Sequence, residues 1–550
     1  MNLPSELPRK IWPILGLLFL IFLLLGTVGW WRTLEEATGH AEIDRVLENV
    51  AEMVTGHDVV VVDHRFEENW MLLVGKWGIK AVLGIALLRS FFVVFHRQIR
   101  SWRFRKVHDH QVFVGLGGQN ADLALQQANA GKKVAVLAED EQHPRRYELE
   151  KAGVFIISGM TDDKKSLKIV GIERAARIVL AVHAGDDACI TSAELITSMI
   201  STSQKSPAAR EMLVCMECRQ IRDLFNQRWK LVNDKVSGIT TKIVNFESVA
   251  LRQMVHRMAL ELANHADALQ HTPSILVVAD PTFAKEFLRA AISIIQVSGE
   301  TLPEYWVAIE NPQEGAEFME SYPAVCLVAK INFFVSHSSL APIASDLSER
   351  HFDFAIVKQR TESATIHLAS RVIDSPIFTV ERAEAIVTEP MKARLQEDDR
   401  LRVSSLFELG LKSPEFGDDT LELAARANHE AYLSDLPPDQ KAHSTEWLDL
   451  PENLKESNRL AVLHRTIKQA MWKRFSQSET ESLLEHLSIS EHQRWMGEKA
   501  MDGWRYADIA IQNRMRRLHP SLVSWKKLED KEKNKDRLQV KKALGLLEEK

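Results

Sequence analysis

From Ile11 to Trp31 the chain carries no charged residue, and Ile14 to Leu25 is almost wholly Leu, Ile and Phe. About 20 apolar residues span a bilayer as a helix. Arg9 and Lys10 precede the run, as basic residues precede a cleaved signal peptide. Its length and the lack of a small-x-small cleavage site favour a retained helix. Trp30 and Trp31 suit the interfacial belt at its far end. A second apolar stretch, Trp70 to Phe95, is interrupted by Lys76, Lys80 and Arg89. Charges at membrane depth are costly, so these side chains should snorkel, pair or face a partner; the other reading is an amphipathic helix lying on the surface. Between the two, Ile43, Val46, Leu47, Val50, Met53 and Val54 fall on one helical face. Arg9 and Lys10 flank the first run, and Arg97, Arg100, Arg103, Arg105 and Lys106 follow the second. The positive-inside rule then places both termini in the cytoplasm and the acidic Arg32–Asn69 loop outside. Thr27-Val28-Gly29 imitates part of a potassium filter but lies at the end of the first helix, so carbonyl-ring selectivity has no sequence support.

After the basic cluster the periodicity changes. A short apolar strand, Gln111 to Val114, runs into Gly115-Leu116-Gly117-Gly118-Gln119-Asn120; Ala121 to Ala130 reads as a helix and Lys133 to Ala138 as a strand. Glycines after a strand allow a tight turn and bring a phosphate close to a helix N-terminus. Gly115, Gly117 and Gly118 supply the turn, and Asn120 stands where a third glycine would let helix and strand pack closely. An acidic residue about 20 positions on can bind ribose hydroxyls. Glu139 is the candidate, with Ala138 the alternative occupant of that place.

The alternation continues through Val154–Ser158, Gly159-Met160-Thr161-Asp162 and Leu167 to Ala181 with its Val-Gly-Ile-Glu-Arg-Ala segment, then the acidic Gly185-Asp186-Asp187. On these residues the region from about His110 to Ala263 resembles the RCK (TrkA-N) domain of potassium channels and transport regulators. The resemblance implies a Rossmann fold whose turn binds NAD(H) or another adenine nucleotide and controls an attached membrane part. It implies cofactor contacts at Gly115, Gly117, Gly118, Asn120, Glu139 and Asp186. Two departures stand out: Gly159-Met160 replaces the family's Gly-Asp, and Ala138 or Glu139 replaces the aspartate that ends strand two. A doubly wound domain with a vestigial pocket is the alternative. No hydride-transfer partner is apparent, so a dehydrogenase is not expected.

Strand-like runs recur at Ser274–Ala279, Tyr305–Ile309, Ala324–Ala329 and Asp353–Val357, with a helix from Thr282 to Ile295. They predict a second parallel-sheet domain. Its turn, Val278-Ala279-Asp280-Pro281-Thr282, has no glycine and should crowd a pyrophosphate, which points to packing or dimerisation instead. Leu395 to Gly417 reads as a connecting region.

Beyond Asp418 strands become scarce and tryptophans recur at 447, 472, 495, 504 and 525. Their company is specific: Arg426-Ala427-Asn428-His429-Glu430-Ala431-Tyr432, Trp447-Leu448-Asp449-Leu450-Pro451, Ser457-Asn458-Arg459, Ser490-Glu491-His492-Gln493-Arg494-Trp495, Gly503-Trp504-Arg505-Tyr506 and Leu518-His519-Pro520. From roughly Leu421 to Arg537 this set resembles the RyR domain, the repeat of ryanodine receptors and of bacterial proteins. The resemblance implies a nucleotide-holding module used in pairs, so that a single copy would need a second subunit. The residues themselves allow two readings. His429, Tyr432, Asn458, Arg459, Glu491, His492, Arg494, Trp495, Trp504 and Tyr506 would stack a base and hold a phosphate. Alternatively they form an internal network that satisfies buried polar groups. Glu491 and His492 are adjacent on a helix and do not face each other, so they are not a catalytic pair.

Composition bounds these readings. At 550 residues several domains are expected. A net charge of −6 argues against nucleic acid as a partner. Cys189, Cys215, Cys218 and Cys326 are too few for a disulfide scaffold; Cys215 and Cys218 have CxxC spacing but no second pair, and read best as strand cysteines. No metal and no catalytic residue is expected. The expected architecture is a transmembrane α-helical hairpin (1–106), two α/β Rossmann-like domains (107–265 and 266–390), a linker (391–417) and a mainly α domain (418–550). The expected protein is a non-enzymatic, multi-pass component of the bacterial inner membrane. It senses a nucleotide, contacts lipids, and assembles with itself as a tetramer or another ring into a channel or membrane effector serving potassium transport or antiviral defence. The alternative is a non-conducting tethered regulator, with a nucleotide-processing enzyme a more distant third.

Overall fold

A computed structural model describes the chain apart from residues 1–6, 56–68, 105–106, 117–119, 182–184, 202–209, 217–238, 266, 300, 336–346, 395–398, 414–419, 435–443, 448–449, 477–479, 510–511, 514 and 547–550. The chain folds into two compact units, Met1–Val179 and Leu180–Lys550.

The first unit opens with helices α1 (Leu7–Thr38), α2 (Ile43–Thr55) and α3 (Trp70–Phe104). Within them Pro13–Glu36 and Trp70–Leu88 are long and apolar enough to cross a membrane. Glycines set how closely α1 and α3 approach. A Cβ on Gly75 would come within 2.7 Å of the Gly26 backbone, one on Gly78 within 2.4 Å of the Phe22 ring, and one on Gly29 within 2.9 Å of the Leu72 nitrogen. Small residues play this role wherever helices associate in lipid, because van der Waals contact replaces the hydrophobic effect there. Asn69 adds a polar clasp: its Nδ2 donates to the Gly29 carbonyl at 3.1 Å and to Thr33 Oγ1 at 2.8 Å. Helix α2 realises half of its expected face. Val46, Val50 and Met53 are buried with Trp30, Leu72 and Ile79, whereas Ile43 and Leu47 are exposed. Lys76 and Lys80 are half-buried, and the Lys80 ammonium lies 5.8 Å from the centre of the Trp77 ring.

Helix α3 runs on past the apolar span and ends at Phe104, which is buried. Strands β1 (His110–Val114), β2 (Val134–Ala138), β3 (Phe155–Ser158) and β4 (Ala175–Leu180) follow, in the order β3-β2-β1-β4, with β1, β2 and β3 pairing in parallel. Helices α4 (Asn120–Asn129), α5 (Arg146–Lys151) and α6 (Lys164–Val170) connect them. β2 is buried along its whole length, as a parallel strand covered on both faces must be.

The second unit contains α7 (Asp186–Ser201), β5 (Arg210–Cys215), its parallel neighbour β6 (Ile239–Val244) and the long buried helix α8 (Phe246–Ala263). Cys189 Sγ faces the Cys215 carbonyl at 3.6 Å; Cys218 lies outside the described residues. A second sheet is formed by β7 (Ser274–Ala279), β8 (Glu304–Ile309), β9 (Lys330–Val335), β10 (His351–Lys358), β11 (Thr379–Ile386) and β12 (Leu401–Ser404). Its order is β12-β11-β10-β7-β8-β9 with every pair parallel, the doubly wound arrangement. Helices α9 (Pro281–Ile294), α10 (Pro312–Ser321), α11 (Glu362–Ile373), α12 (Glu389–Lys392) and α13 (Leu406–Leu411) complete this part.

Two expectations are corrected here. Ala324–Ala329 is not a strand: Pro323 starts a 3-10 turn through Leu327, and the strand begins at Lys330. Proline fixes φ and cannot donate to a ladder, so the strand shifts past it. The stretch 391–417 is not a bare connection, because it carries β12, which pairs with β11, and α13, capped by the Ser405 side chain.

Helices α14 (Thr420–Ser434), α15 (Glu452–Phe475), α16 (Thr480–Met501) and α17 (Asp530–Ala543) form the C-terminal part. They share one hydrophobic core with the second sheet: Met258, Ile275, Phe287 and Tyr305 lie in the same cluster as Ile467, Leu487, Met496, Trp504 and Val540. Gly497 permits the contact, since a Cβ there would stand 2.5 Å from the Ile292 carbonyl oxygen.

Candidate functional site

The first candidate lies at the carboxyl ends of β1, β2 and β3, where open α/β sheets bind ligands. Gly115 follows β1 with φ +82°, a left-handed conformation that glycine adopts without strain, and its N–H donates to the Leu137 carbonyl at 2.9 Å. Gly117 and Gly118 lie outside the described residues. Asn120 opens α4 and is buried; its Nδ2 donates to the Gly115 carbonyl at 3.0 Å and to the Val114 carbonyl at 3.3 Å. The departure from a third glycine thus has a physical account: hydrogen bonds, instead of a missing side chain, hold helix to strand. Ala138 is the last residue of β2 and is buried, so Glu139 is the acid that emerges at the strand end. It accepts a hydrogen bond from Thr161 Oγ1 at 2.7 Å. Met160, in place of the family's aspartate, is exposed. Asp186 belongs to the second unit, where it begins α7 after Gly185 at φ +99°.

At the amino-terminal end of the same strands, opposite the ligand edge, α3 meets the sheet. The Phe104 ring stacks on Phe155 of β3 at 4.1 Å and 14°, and meets His110 of β1 edge-on at 4.8 Å. His110 is fully buried, with Nε2 2.9 Å from the Val170 carbonyl. Burial pushes its pKa down, and Arg174 adds to the effect. On α6 and the turn after it, Lys164, Lys165, Lys168, Ile169 and Arg174 line a concavity of about 560 Å³ that no sequence motif marks.

The corresponding turn of the second sheet is closed by its own side chain. Asp280 caps α9, its carboxylate accepting from the Phe283 N–H at 3.0 Å, and Pro281 occupies the first helical position. Lys358 lies 3.5 Å from the same carboxylate.

The ten C-terminal candidates do not converge on one place. His429 on α14 is buried, with Nε2 2.9 Å from the Thr445 carbonyl and rings of Tyr432 and Trp447 within 6.4 Å. Tyr432 is itself exposed. Asn458 on α15 accepts from Asn428 and donates to the Leu454 carbonyl. Arg459 is buried and makes a two-pronged pair with Glu422, at 2.7 and 3.1 Å, and a third bond to Glu456. Burial would raise the Glu422 pKa, but Arg459 and Lys242 outweigh it and bring it to about 2.

Glu491 and Arg494 on α16 belong to a buried ionic chain. Lys468 donates to Glu491, Arg494 bonds Glu491 at 2.9 Å and Glu498 at 3.3 Å, and Lys499 reaches Glu498 at 3.4 Å. Burial alone would raise the Glu491 pKa; Arg494 and Lys468 together hold it well below the usual carboxylate range. His464 stands 3.5 Å from Glu491 yet burial drives its pKa down to about 4. The neighbouring carboxylate does not protonate it, because Lys468 and Arg494 already satisfy that charge.

His492 sits one residue round the helix, with Nδ1 3.2 Å from Asp536, Nε2 2.9 Å from the Val523 carbonyl, and its ring on Trp495 and Trp525. Trp495 and Trp504 do flank a common slot, but His519 fills it, at 4.9 Å from one ring and 6.1 Å from the other. The His519 Nδ1 accepts from the Ser521 N–H, and burial, with Lys499 adding, brings its pKa to about 4. Tyr506 is exposed on the short strand β13 (Arg505–Tyr506), which pairs with β14 (Leu518–His519). His464, Lys468, Glu498 and His519 were not among the expected residues. The available signals were the four-residue spacings of His464 with Lys468 and of Arg494 with Glu498, which put each pair on one helix face, and the place of His519 in the Leu518-His519-Pro520 motif.

Compared with known proteins, residues 476–549 match the family model of the RyR domain. The match takes in the motifs of α16 and beyond, while those around Arg426–Tyr432, Trp447–Pro451 and Ser457–Arg459 lie upstream of it. No curated protein matches. Among solved structures, the GsuK channel bound to NAD is similar over 78% of this chain and 87% of its own, at 12% identity and TM-score 0.38. The GsuK bound to ADP is similar over 73% and 96%, at 14% identity and TM-score 0.37. The GsuK RCK domain covers 61% of this chain and 82% of its own, at 11% identity and TM-score 0.35.

Proposed function

We propose that this chain is a membrane-anchored sensor. An adenine nucleotide, NAD(H) or a relative, binds at the β1–α4 turn, and the membrane hairpin responds by conducting ions once several copies assemble into a ring. Two helices from one chain cannot enclose a pore, so the assembly is part of the proposal. The observation that carries it is the continuity of α3: one helix, Trp70 to Phe104, ends with its last ring packed between β3 and β1. Those strands deliver Gly115 and the Thr161 partner of Glu139 to the ligand edge. A ligand that prefers one arrangement of this edge therefore acts on the helix along the length of these two short strands, whose opposite ends pack on the Phe104 ring. About 1–3 kcal/mol of coupling per site is typical of such devices, and the ligand supplies it only through differential affinity for the two arrangements.

The test is ion flux in liposomes holding the full chain, with NAD+, NADH, ADP and ATP added in turn, on the wild type and Phe104→Ala. The expected result is nucleotide-dependent flux in the wild type, and in Phe104→Ala nucleotide binding without the flux response. Absence of flux under every nucleotide overturns the conducting reading in favour of a tethered regulator. Conversion of the added nucleotide to product would point to an enzyme.

A further inference from the structure

Where the second sheet begins, three histidines and two acids gather around one buried carboxylate. Asp353 on β10 is 2% exposed. Its Oδ1 lies 2.7 Å from His271 Nε2, and its Oδ2 accepts the Ser274 N–H at 2.7 Å. His271 and His265 lie on the segment between α8 and β7, with ring centres 5.6 Å apart. The ligand atoms of His265, His271 and Asp353 all lie within 4.8 Å of one another. Asp267 Oδ2 stands 3.8 Å from His271 Nδ1, the ring nitrogen turned away from Asp353. On the other side His351 and Glu381, themselves 3.2 Å apart, form a second such group with the same Asp353.

We propose that His265, His271 and Asp353 bind a divalent transition ion of the zinc class. The donor set is right for it: two imidazoles and a carboxylate are borderline ligands that suit zinc and disfavour calcium or magnesium, which take oxygen cages. The charge balance asks for it as well. A carboxylate buried to this degree needs positive charge nearby. Among the described residues, the groups turned toward Asp353 are histidines and a backbone N–H, with no lysine or arginine bonded to it. To admit an ion with bonds of about 2.0–2.2 Å, His265 must move in, and His271 Nε2 and Asp353 Oδ1, now 2.7 Å apart, must part slightly as the ion replaces their hydrogen bond. His265 sits on a half-exposed turn and can make that move. The fourth position is left for water or for Asp267. The ion ties the exit of α8 to the second sheet and leaves the nucleotide turn untouched.

The experiment uses the full chain in detergent, stripped with a chelator, reloaded with Zn2+ and desalted, with bound metal measured by mass spectrometry. Co2+ loading provides a spectroscopic signature of tetrahedral nitrogen and oxygen ligation. About one zinc per chain is expected, lost in His265→Gln and His271→Gln and kept in His351→Gln. His271→Gln also removes a bond to Asp353 and can loosen the fold; the His265 side chain makes no hydrogen bond among the described residues, so His265→Gln decides the matter. Wild type that retains no zinc overturns the proposal, and so does zinc lost in His351→Gln but kept in His265→Gln.

Discussion

The two parallel sheets begin alike and differ at one place. Both send a central buried strand, β1 or β7, which pairs in parallel with the next strand, into a helix. After β1 the chain turns through Gly115 at φ +82°, and Glu139 stands at the next strand end. After β7 it turns through Asp280 and Pro281, and the Asp280 carboxylate takes the helix N–H that a phosphate would otherwise use. The second sheet supplies an anion to its helix start itself; at the first, the Asn120 side chain turns back to the Val114 and Gly115 carbonyls instead. The C-terminal helices extend the second habit. Their charges meet inside the protein, in the chain from Lys468 through Glu491 and Arg494 to Glu498 and Lys499, and in the Arg459–Glu422 pair.

If that contrast is right, each side has its own vulnerability. The largest effect falls on the self-satisfied side. Lys468→Met removes one cation from a fully buried Glu491 and should cost the second unit about 3–5 kcal/mol, as breaking buried pairs does. Urea unfolding reads the loss, and nucleotide affinity at the first turn should stay within about twofold of wild type. A stable Lys468→Met chain would mean the buried charges are not holding the helices.

Acid comes next. His464 is neutral in the fold with a pKa near 4, against 6.5 when unfolded. Below 6.5 the unfolded chain takes up a proton that the folded one refuses. Stability is thus complete above about 6.5 and falls until about 4, by about 3 kcal/mol for His464 at 1.36 kcal/mol per unit. His519 acts in the same direction and over the same window. Glu422, held at about 2, extends the loss from 4.5 downward. Denaturation midpoints across this range should fall steadily for the wild type and less steeply for His464→Gln.

Smaller effects separate the two turns directly. Gly115→Val forces a β-branched residue into left-handed backbone, at a cost of about 1–3 kcal/mol, and should weaken nucleotide binding about tenfold or more. Asp280→Ala removes a cap worth about 1 kcal/mol and should leave binding unchanged. Equal loss of binding in both would erase the difference between the sheets.

Much of this was legible in sequence because it is local. The apolar runs, the Gly115 turn, β7 and β10 follow from periodicity and turn chemistry over a few residues. What was not legible depends on distant partners. Thr379 to Ile386 looks too polar for an inner strand; it is one because Arg257 and Ser404 both donate to Oε1 of the buried Glu384. The separateness expected of the C-terminal helices gave way to a core shared with α9, made possible by Gly497 against Ile292, residues 205 positions apart in the chain (497 − 292). Whether the tryptophans stack a ligand or pack internally stayed undecided in sequence because nothing local says that His519 enters between them. Charge-rich motifs such as Ser490 to Trp495 report that polar groups are concentrated, but not whether a ligand or the protein itself satisfies them.

The most direct test of the account is calorimetric titration of the full chain with NAD+, NADH, ADP and ATP, comparing wild type, Glu139→Ala and Trp495→Ala. Charge-assisted hydrogen bonds to a ribose are worth about 1.5–3 kcal/mol. The predicted result is therefore affinity reduced about tenfold or more in Glu139→Ala and unchanged in Trp495→Ala. Unchanged affinity in Glu139→Ala with loss in Trp495→Ala would contradict it and move the site to the C-terminal helices.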